Sequence, residues 1–309
     1  MKKFLITGGA GNVGSSLALK LSEDPQNFIV IADSLLTGSI EKIPIKENVI
    51  FFNVNVNIVN DLSIVFKKYN FDYVFHYAAL VGVQRTLNNP MKVLNDIDGI
   101  KNILELSSLS KVKRVFYSSS SEVYGEPFEI PQNEKTTPLN SRLPYAIVKN
   151  VGEAFFRSYK QEYNLDYTIF RFFNTYGPNQ SEDFVIPKFL NLALENKPIT
   201  IFGEGSQTRT FCYIEDNIDT CVKVLNSEKY INDELNVGND IEVSILELAK
   251  IIIKITNSTS EIMYLPALEE GDMTRRCPDI RKMKNVLQRD LITLEEGIKK
   301  LINHYEKRN

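Results

Sequence analysis

Short apolar runs alternate with stretches in which apolar residues recur every three or four positions. The runs at 4–6, 28–32, 49–54, 73–77, 112–117 and 167–172 are rich in β-branched and aromatic residues and have the length of strands. Between them, Val13, Leu17 and Leu21 share one helical face, and 93–109 and 145–163 carry longer helical patterns. Strand–helix alternation of this kind builds βαβ units around a parallel sheet. After about Gly177 the pattern changes to helices at 185–194, 245–255 and 294–305, mixed with short strands and loops. The expected fold is α/β, a doubly wound parallel sheet over 1–176 with a smaller C-terminal α/β substrate lobe over 177–309. That boundary is approximate, with segments of the second half returning to the first domain. A lobe at the C-terminal edges of the strands lies where open α/β sheets bind ligands.

Gly8-Gly9-Ala10-Gly11-Asn12-Val13-Gly14 sits between the first strand and the first helix. Glycines at 8, 11 and 14 permit the tight turn and let the backbone approach a pyrophosphate. The helix start offers unpaired N–H groups and the positive end of its dipole to that anion. With a strand before it and a helix after it, the segment reads as the dinucleotide cradle of a Rossmann sheet. Asp33 ends the second strand, where a carboxylate accepts from both ribose hydroxyls and repels a 2′-phosphate. No Arg follows in Ser34-Leu35-Leu36, so the expected cofactor is NAD and not NADP.

Tyr145 and Lys149 are four residues apart, on one face of the 145–163 helix. A free phenol, with a pKa of about 10, is a poor base at neutral pH. A nearby ammonium and an oxidised nicotinamide both favour its ionised form. Such a tyrosine can take a proton from a substrate hydroxyl while the cofactor oxidises the same carbon. Ser118-Ser119-Ser120-Ser121-Glu122 follows the strand at 112–117, at the edge where functional side chains gather. A serine hydroxyl there can hydrogen-bond the substrate oxygen in both the alcohol and the ketone state.

Charge narrows the possible partners. Lys plus Arg total 36 and Asp plus Glu total 39, a formal charge of −3, which argues against a dedicated nucleic-acid binder or a polybasic membrane binder. No apolar run approaches the ~20 residues of a membrane span. The apolar start ends at Thr7-Gly8-Gly9, too soon for a signal peptide, and reads as a buried strand. Cys212, Cys221 and Cys277 form no CxxC pair, and His76 and His304 are the only histidines. Neither a disulfide scaffold nor a metal site is expected, and the expected compartment is the reducing cytoplasm. The 18 Phe and 14 Tyr are spread through the predicted elements and read as core.

Further motifs recur in order: Val74-Phe75-His76-Tyr77-Ala78-Ala79, Asn95, Ser120, Tyr145 with Lys149, Arg171-Phe172-Phe173-Asn174-Thr175-Tyr176-Gly177-Pro178, and Gly205-Ser206-Gln207-Thr208-Arg209-Thr210-Phe211-Cys212-Tyr213. Together they resemble the extended short-chain dehydrogenase/reductases that act on nucleotide sugars, over nearly the whole chain. The resemblance implies Ser120 as the catalytic Ser/Thr, Tyr145 as general base and Lys149 as holder of the nicotinamide ribose, with Glu122 as a further catalytic candidate. It implies cofactor contacts from Gly8, Gly11, Asn12, Val13, Gly14, Asp33, Asn55, Val56, Ala78, Tyr145 and Lys149, with Asn55 standing where the family often has an Asp against the adenine. On the substrate side it implies Ser121, Asn174, Lys188, Arg209 and Arg276, the arginines facing the diphosphate. It makes His76 structural and the 93–109 and 145–163 helices the interface of a homodimer, with Ala154, Phe155, Tyr159 and Tyr163 as apolar surface, while His304, near the last helix's end, is expected to be solvent-exposed. Cell-surface polysaccharide synthesis is the family-level expectation.

The resemblance also divides the possible reactions. All begin with oxidation of sugar C4. Ser121 stands where 4,6-dehydratases of the family carry an Asp, which counts against dehydration. Glu122 and the segment from Ser206 to Tyr213 resemble glucuronate decarboxylases. Pro144-Tyr145-Ala146, Gly177-Pro178-Asn179-Gln180 and Val185-Ile186-Pro187-Lys188-Phe189 resemble epimerases. The expected net reaction is 4-epimerisation or C4 dehydrogenation. Decarboxylation is the alternative, dehydration ranks below it, and an inert cofactor-binding module is the reading from another class.

Overall fold

The computed structural model describes residues 1–267 and 275–306. Its main sheet contains β1 (Lys2–Thr7), β2 (Asn27–Asp33), β3 (Val49–Asn53), β4 (Tyr73–His76), β5 (Arg114–Ser120) and β6 (Tyr167–Phe172). Short strands follow: β7 (Thr175–Tyr176), β8 (Ile199–Phe202), β9 (Thr208–Thr210) and β10 (Cys212–Tyr213). Then come β11 (Asp233–Val237), β12 (Glu242–Ser244) and β13 (Ile262–Leu265). Seven strands make the sheet in the order β11-β6-β5-β4-β1-β2-β3, all parallel. Strand order reverses between β1 and β4, and ligands bind outside that switch point. The smaller strands pair as β7 with β10, β9 with β12 and β8 with β13.

Period-two alternation explains how the sheet is covered. Phe4, Ile6, Ile29, Ile31, Phe75, Phe116 and Phe170 face one core. Leu5, Val30, Val74, Val115, Tyr117 and Ile169 face the other. The second core is closed by α2 (Val59–Lys68), α5 (Asp96–Leu109) and α6 (Pro144–Tyr163). The first is closed by α1 (Asn12–Ser22), α7 (Val185–Leu194), α8 (Ile214–Leu225) and α9 (Ile245–Thr256). Strands buried on both faces read as continuous apolar runs, which is why six of the seven were visible in the sequence.

One expected helix is divided. The single helix over 93–109 is two helices, α4 (Pro90–Leu94) and α5, divided at Asn95. Pro90 starts the first, after α3 (Val83–Asn88), and the Asp96 and Asp98 carboxylates suit the start of the second. The seventh strand, β11, comes from beyond residue 177 and pairs with β6 from Asp233↔Thr168 to Val237↔Phe172. Next come α10 (Arg281–Leu287), which packs on the same core, and α11 (Leu294–Glu306). The second half of the chain thus supplies an edge of the first half's sheet. His304 is partly buried against Tyr305 and not solvent-exposed as expected, because α11 turns one face onto the core.

Candidate active site

A cavity of about 880 Å³ opens at the C-terminal ends of the strands. Every candidate residue lines it: the glycine turn with Asn12 and Val13, Asp33, Asn55, Val56, Ala78, Ser120, Ser121, Glu122, Tyr145, Lys149, Asn174, Lys188, Arg209 and Arg276. They come from positions spread over most of the sequence, and the βαβ topology brings them to one edge.

The glycine turn is built for close approach. Gly8 has φ +68°, and a Cβ there would lie 2.6 Å from the Ala78 nitrogen. A Cβ on Gly14 would lie 2.3 Å from the Gly8 carbonyl oxygen. Helix α1 begins without a side-chain cap and without an acidic residue in its first turn, so its amides and dipole remain for an anion. Asp33 is fixed at the rim, accepting from the Ala10 N–H at 3.0 Å and the Leu35 N–H at 2.8 Å. Asn55 accepts from the Asn57 N–H at 3.0 Å, which shapes the loop after β3. These residues fit a dinucleotide: a backbone cradle, a ribose-facing carboxylate and two apolar walls from Val56 and Ala78.

Across the cavity, Pro144 starts α6 and puts Tyr145 in its first turn. The phenol hydrogen-bonds Ser120, whose hydroxyl also accepts from the Glu122 N–H at 3.2 Å. Lys149, one turn on, is buried and donates to the Ser118 carbonyl at 2.6 Å. Its ammonium lies 5.0 Å from the centre of the Tyr117 ring and 5.7 Å from that of Tyr145. Burial pushes the Lys149 amine down to about 8, against the upward pull of Asp96. Burial also pushes the Tyr145 phenol well up, and Glu122 adds to this, while Ser120 and Arg276 oppose it. Burial outweighs the charged neighbours at the phenol, and the lysine's shortest bond goes to the Ser118 carbonyl.

On the substrate side, Arg276 and Glu122 form an ion pair at 2.9 Å, almost closed to solvent. The segment carrying Arg276 is pinned to Gln132 through the Gln132 N–H to Cys277 carbonyl bond and the Asp279 N–H to Gln132 carbonyl bond, both 2.8 Å. Asn174 has φ +35°, and its amide donates to the Thr210 carbonyl at 2.9 Å. Arg209 is nearly buried and donates to the Thr208 carbonyl at 2.8 Å. Lys188 is partly exposed on α7. His76 is buried and held near pKa 3 by desolvation and the neighbouring Lys149, with its Nδ1 2.9 Å from the Thr7 hydroxyl. It lies beneath the cavity as a neutral packing residue.

Sequence reasoning missed three features. Asp96 lines the cavity from the start of α5. Arg85 and Asp183, which both line the cavity, form an ion pair. Beneath Tyr145 and Lys149, Glu153 receives a two-pronged Arg171 contact at 2.9 and 2.7 Å and a Ser119 hydrogen bond at 2.7 Å. Of these, only the i, i+4 spacing of Lys149 and Glu153 was visible in the sequence.

The model of the NAD dependent epimerase/dehydratase family matches residues 4–238. The chain belongs to this NAD-dependent family. It is 35% identical to UDP-glucuronic acid decarboxylase 1 of Danio rerio over 99% of this chain and 73% of that protein. It is also 35% identical to a putative UDP-glucose 4-epimerase of Methanocaldococcus jannaschii, over 99% of both. The crystal structure of the Thermotoga maritima UDP-glucose 4-epimerase with UDP-glucose superposes with TM-score 0.93 at 29% identity, covering 99% of each chain. The Rossmann sheet and the family's NAD cofactor therefore stand, and these relatives span two net reactions. Among the described residues no helix is long and apolar enough to cross a membrane.

Proposed function

We propose that the protein oxidises the C4 hydroxyl of a nucleotide sugar, with net 4-epimerisation or C4 dehydrogenation as the outcome. One observation carries this reading: the hydrogen-bonded Ser120–Tyr145 pair and buried Lys149 line the same cavity as the dinucleotide cradle. NAD, when bound, supplies the two-electron acceptor for the sugar carbon. Tyr145 takes the hydroxyl proton, Ser120 holds the oxygen as it changes from alcohol to ketone, and Lys149 donates toward the ribose. The glycine turn and Asp33 hold the dinucleotide, with Asn55, Val56 and Ala78 beside it. Arg209, Lys188 and Asn174 receive the sugar diphosphate, and Ser121 and Glu122 meet the sugar. Epimerisation then requires the ketone to turn in the site before it is reduced again. The relatives' substrates favour UDP as the nucleotide.

A second reading is favoured by the Glu122–Arg276 pair. A 4-keto glucuronate is a β-keto acid and loses CO₂ readily. Arg276 can leave Glu122 to receive its carboxylate. Ser121 beside Glu122 disfavours dehydration.

Product analysis by proton NMR and mass spectrometry over UDP-, GDP- and dTDP-sugars tests both. An inverted C4 centre or a 4-keto sugar supports the first reading, and CO₂ from a glucuronate selects the second. A 4-keto-6-deoxy product contradicts both. Dinucleotide binding without turnover of any sugar overturns both and leaves a binding module. Tyr145→Phe is expected to lower turnover roughly 10²–10⁴-fold while keeping dinucleotide affinity.

A further inference from the structure

Tyr145, Lys149 and Glu153 stand four residues apart on one stripe of α6, and each meets one of three consecutive serines at the end of β5. The Tyr145 phenol hydrogen-bonds Ser120, the Lys149 ammonium donates to the Ser118 carbonyl at 2.6 Å, and Glu153 Oε1 accepts from the Ser119 hydroxyl at 2.7 Å. The first two contacts belong to the site already described. Glu153 is fully buried and lies outside the cavity lining, so it has no direct part in the chemistry.

The Ser119–Glu153 bond is anchored on the strand side. Ser119 on β5 pairs in register with Arg171 on β6, and both are buried. The Arg171 Nε and Nη2 donate to the two oxygens of Glu153 at 2.9 and 2.7 Å. Two neighbouring strands thus form a socket for one carboxylate of the helix. Around the socket α6 meets the sheet through Val148 and Phe156, and Phe156 stacks on Tyr117 of β5 with ring centres 4.7 Å apart. The approach is close: a Cβ on Gly152 would lie 2.2 Å from the Tyr117 hydroxyl oxygen. Apolar packing is non-directional and does not by itself fix how far a helix slides along a strand. A short, charge-assisted hydroxyl-to-carboxylate bond does. Neutralising Arg171 requires Glu153 but not Ser119, so the serine hydroxyl is the part that charge pairing leaves unexplained.

We propose that Ser119 and Glu153 are positioning residues: their hydrogen bond seats α6 on β5 and so sets where Tyr145 and Lys149 stand relative to Ser120 and the dinucleotide. The inference rests on the proposed roles of Tyr145 and Lys149, but its primary test needs no turnover.

In that test the NAD-loaded protein is diluted and the rate of dinucleotide release is followed, beside the urea midpoint. Ser119→Ala leaves the Glu153–Arg171 pair intact. It is expected to release dinucleotide roughly 3–10-fold faster than wild type, because Lys149 is no longer held where it meets the ribose. Ser119→Thr keeps the hydroxyl and is expected to restore the wild-type rate. Arg157→Ala removes the exposed partner of the same carboxylate and is expected to leave the rate unchanged. A wild-type rate in Ser119→Ala, whatever its urea midpoint, shows the bond to be structural only and overturns the proposal. An Arg157→Ala rate as fast as that of Ser119→Ala overturns it too, as does a folded Ser119→Thr that releases as fast as the alanine variant. If Ser119→Thr fails to fold, the contrast between Ser119→Ala and Arg157→Ala decides. With a substrate in hand, Ser119→Ala is expected to lower kcat roughly tenfold with nucleotide-sugar affinity unchanged, and a loss confined to that affinity overturns the proposal. Faster release from a chain that turns over no sugar sustains this inference while the functional reading fails. Turnover of a sugar with wild-type release in Ser119→Ala does the reverse.

Discussion

Lys149 holds a charge that the fold disfavours. Its amine sits near 8 in the folded protein against an ordinary 10.5, chiefly through burial. Between those pH values the unfolded chain holds a proton that the folded chain has released, so stability rises with pH through that window. At pH 7 both states are protonated, and the folded state carries the full cost of the buried charge. Lys149→Met removes that cost but leaves the Ser118 carbonyl without its donor. The desolvation relief is the larger of the two. The variant is therefore expected to be more stable than wild type by roughly 1–2 kcal/mol at pH 7. The advantage shrinks toward pH 10.5, and turnover is lost at all pH values. Urea melts at the two pH values check this, and a variant less stable at pH 7 would contradict it.

At the level of elements, legibility followed burial. Strands β1 to β6 were visible because each carries a run of apolar residues, and α1, α6, α7, α9 and α11 because each has an apolar face. Strand β11 was missed because Glu234 and Asn236 are buried polar residues in a five-residue strand. Helix α8 was missed because Asp216 and Asn217, both fully buried, make its first turn read as a loop. In the site, the glycine cradle and Ser120 with Tyr145 and Lys149 were legible because each is a local motif. Asp96 was not, because its partners Asn57 and Leu80 lie 39 and 16 residues away. The outer faces of α5 and α6 bear on assembly. Leu109, Ile147 and Tyr163 are 73, 38 and 59% exposed, and the Tyr159 and Tyr163 rings pack at a tilt with centres 5.0 Å apart. We propose that this surface joins two copies in a homodimer. Sedimentation at micromolar concentration is expected to give a dimer for wild type and a monomer for Leu109→Glu with Tyr163→Glu. A wild-type monomer would refute it.

Across the whole molecule, one buried polar network links the sheet to the segment that carries Arg276. Arg171 on β6 contacts Glu153 on α6 and donates to the Tyr124 hydroxyl at 2.8 Å. Tyr124 donates to Asn236 on β11 at 2.8 Å, and the Asn236 amide reaches the carbonyls of Gln132 at 2.8 Å and Asp279 at 3.3 Å. Strands from both halves of the chain are thereby locked in register behind the cavity. The two arginines on Glu153 differ in setting. The Arg171 side chain is 2% exposed and that of Arg157 40%. Removing the Glu153 charge leaves Arg171 buried without its carboxylate, the kind of loss that costs about 3–5 kcal/mol. Removing Arg157 breaks a screened pair worth less than about 1 kcal/mol. Glu153→Gln is therefore expected to lower the urea midpoint several times more than Arg157→Ala. It is also expected to weaken nucleotide-sugar affinity, because Arg276 loses part of its support. Equal destabilisation by the two substitutions would show that Glu153 acts through its exposed partner. The polar network would then not be what couples the two halves of the chain.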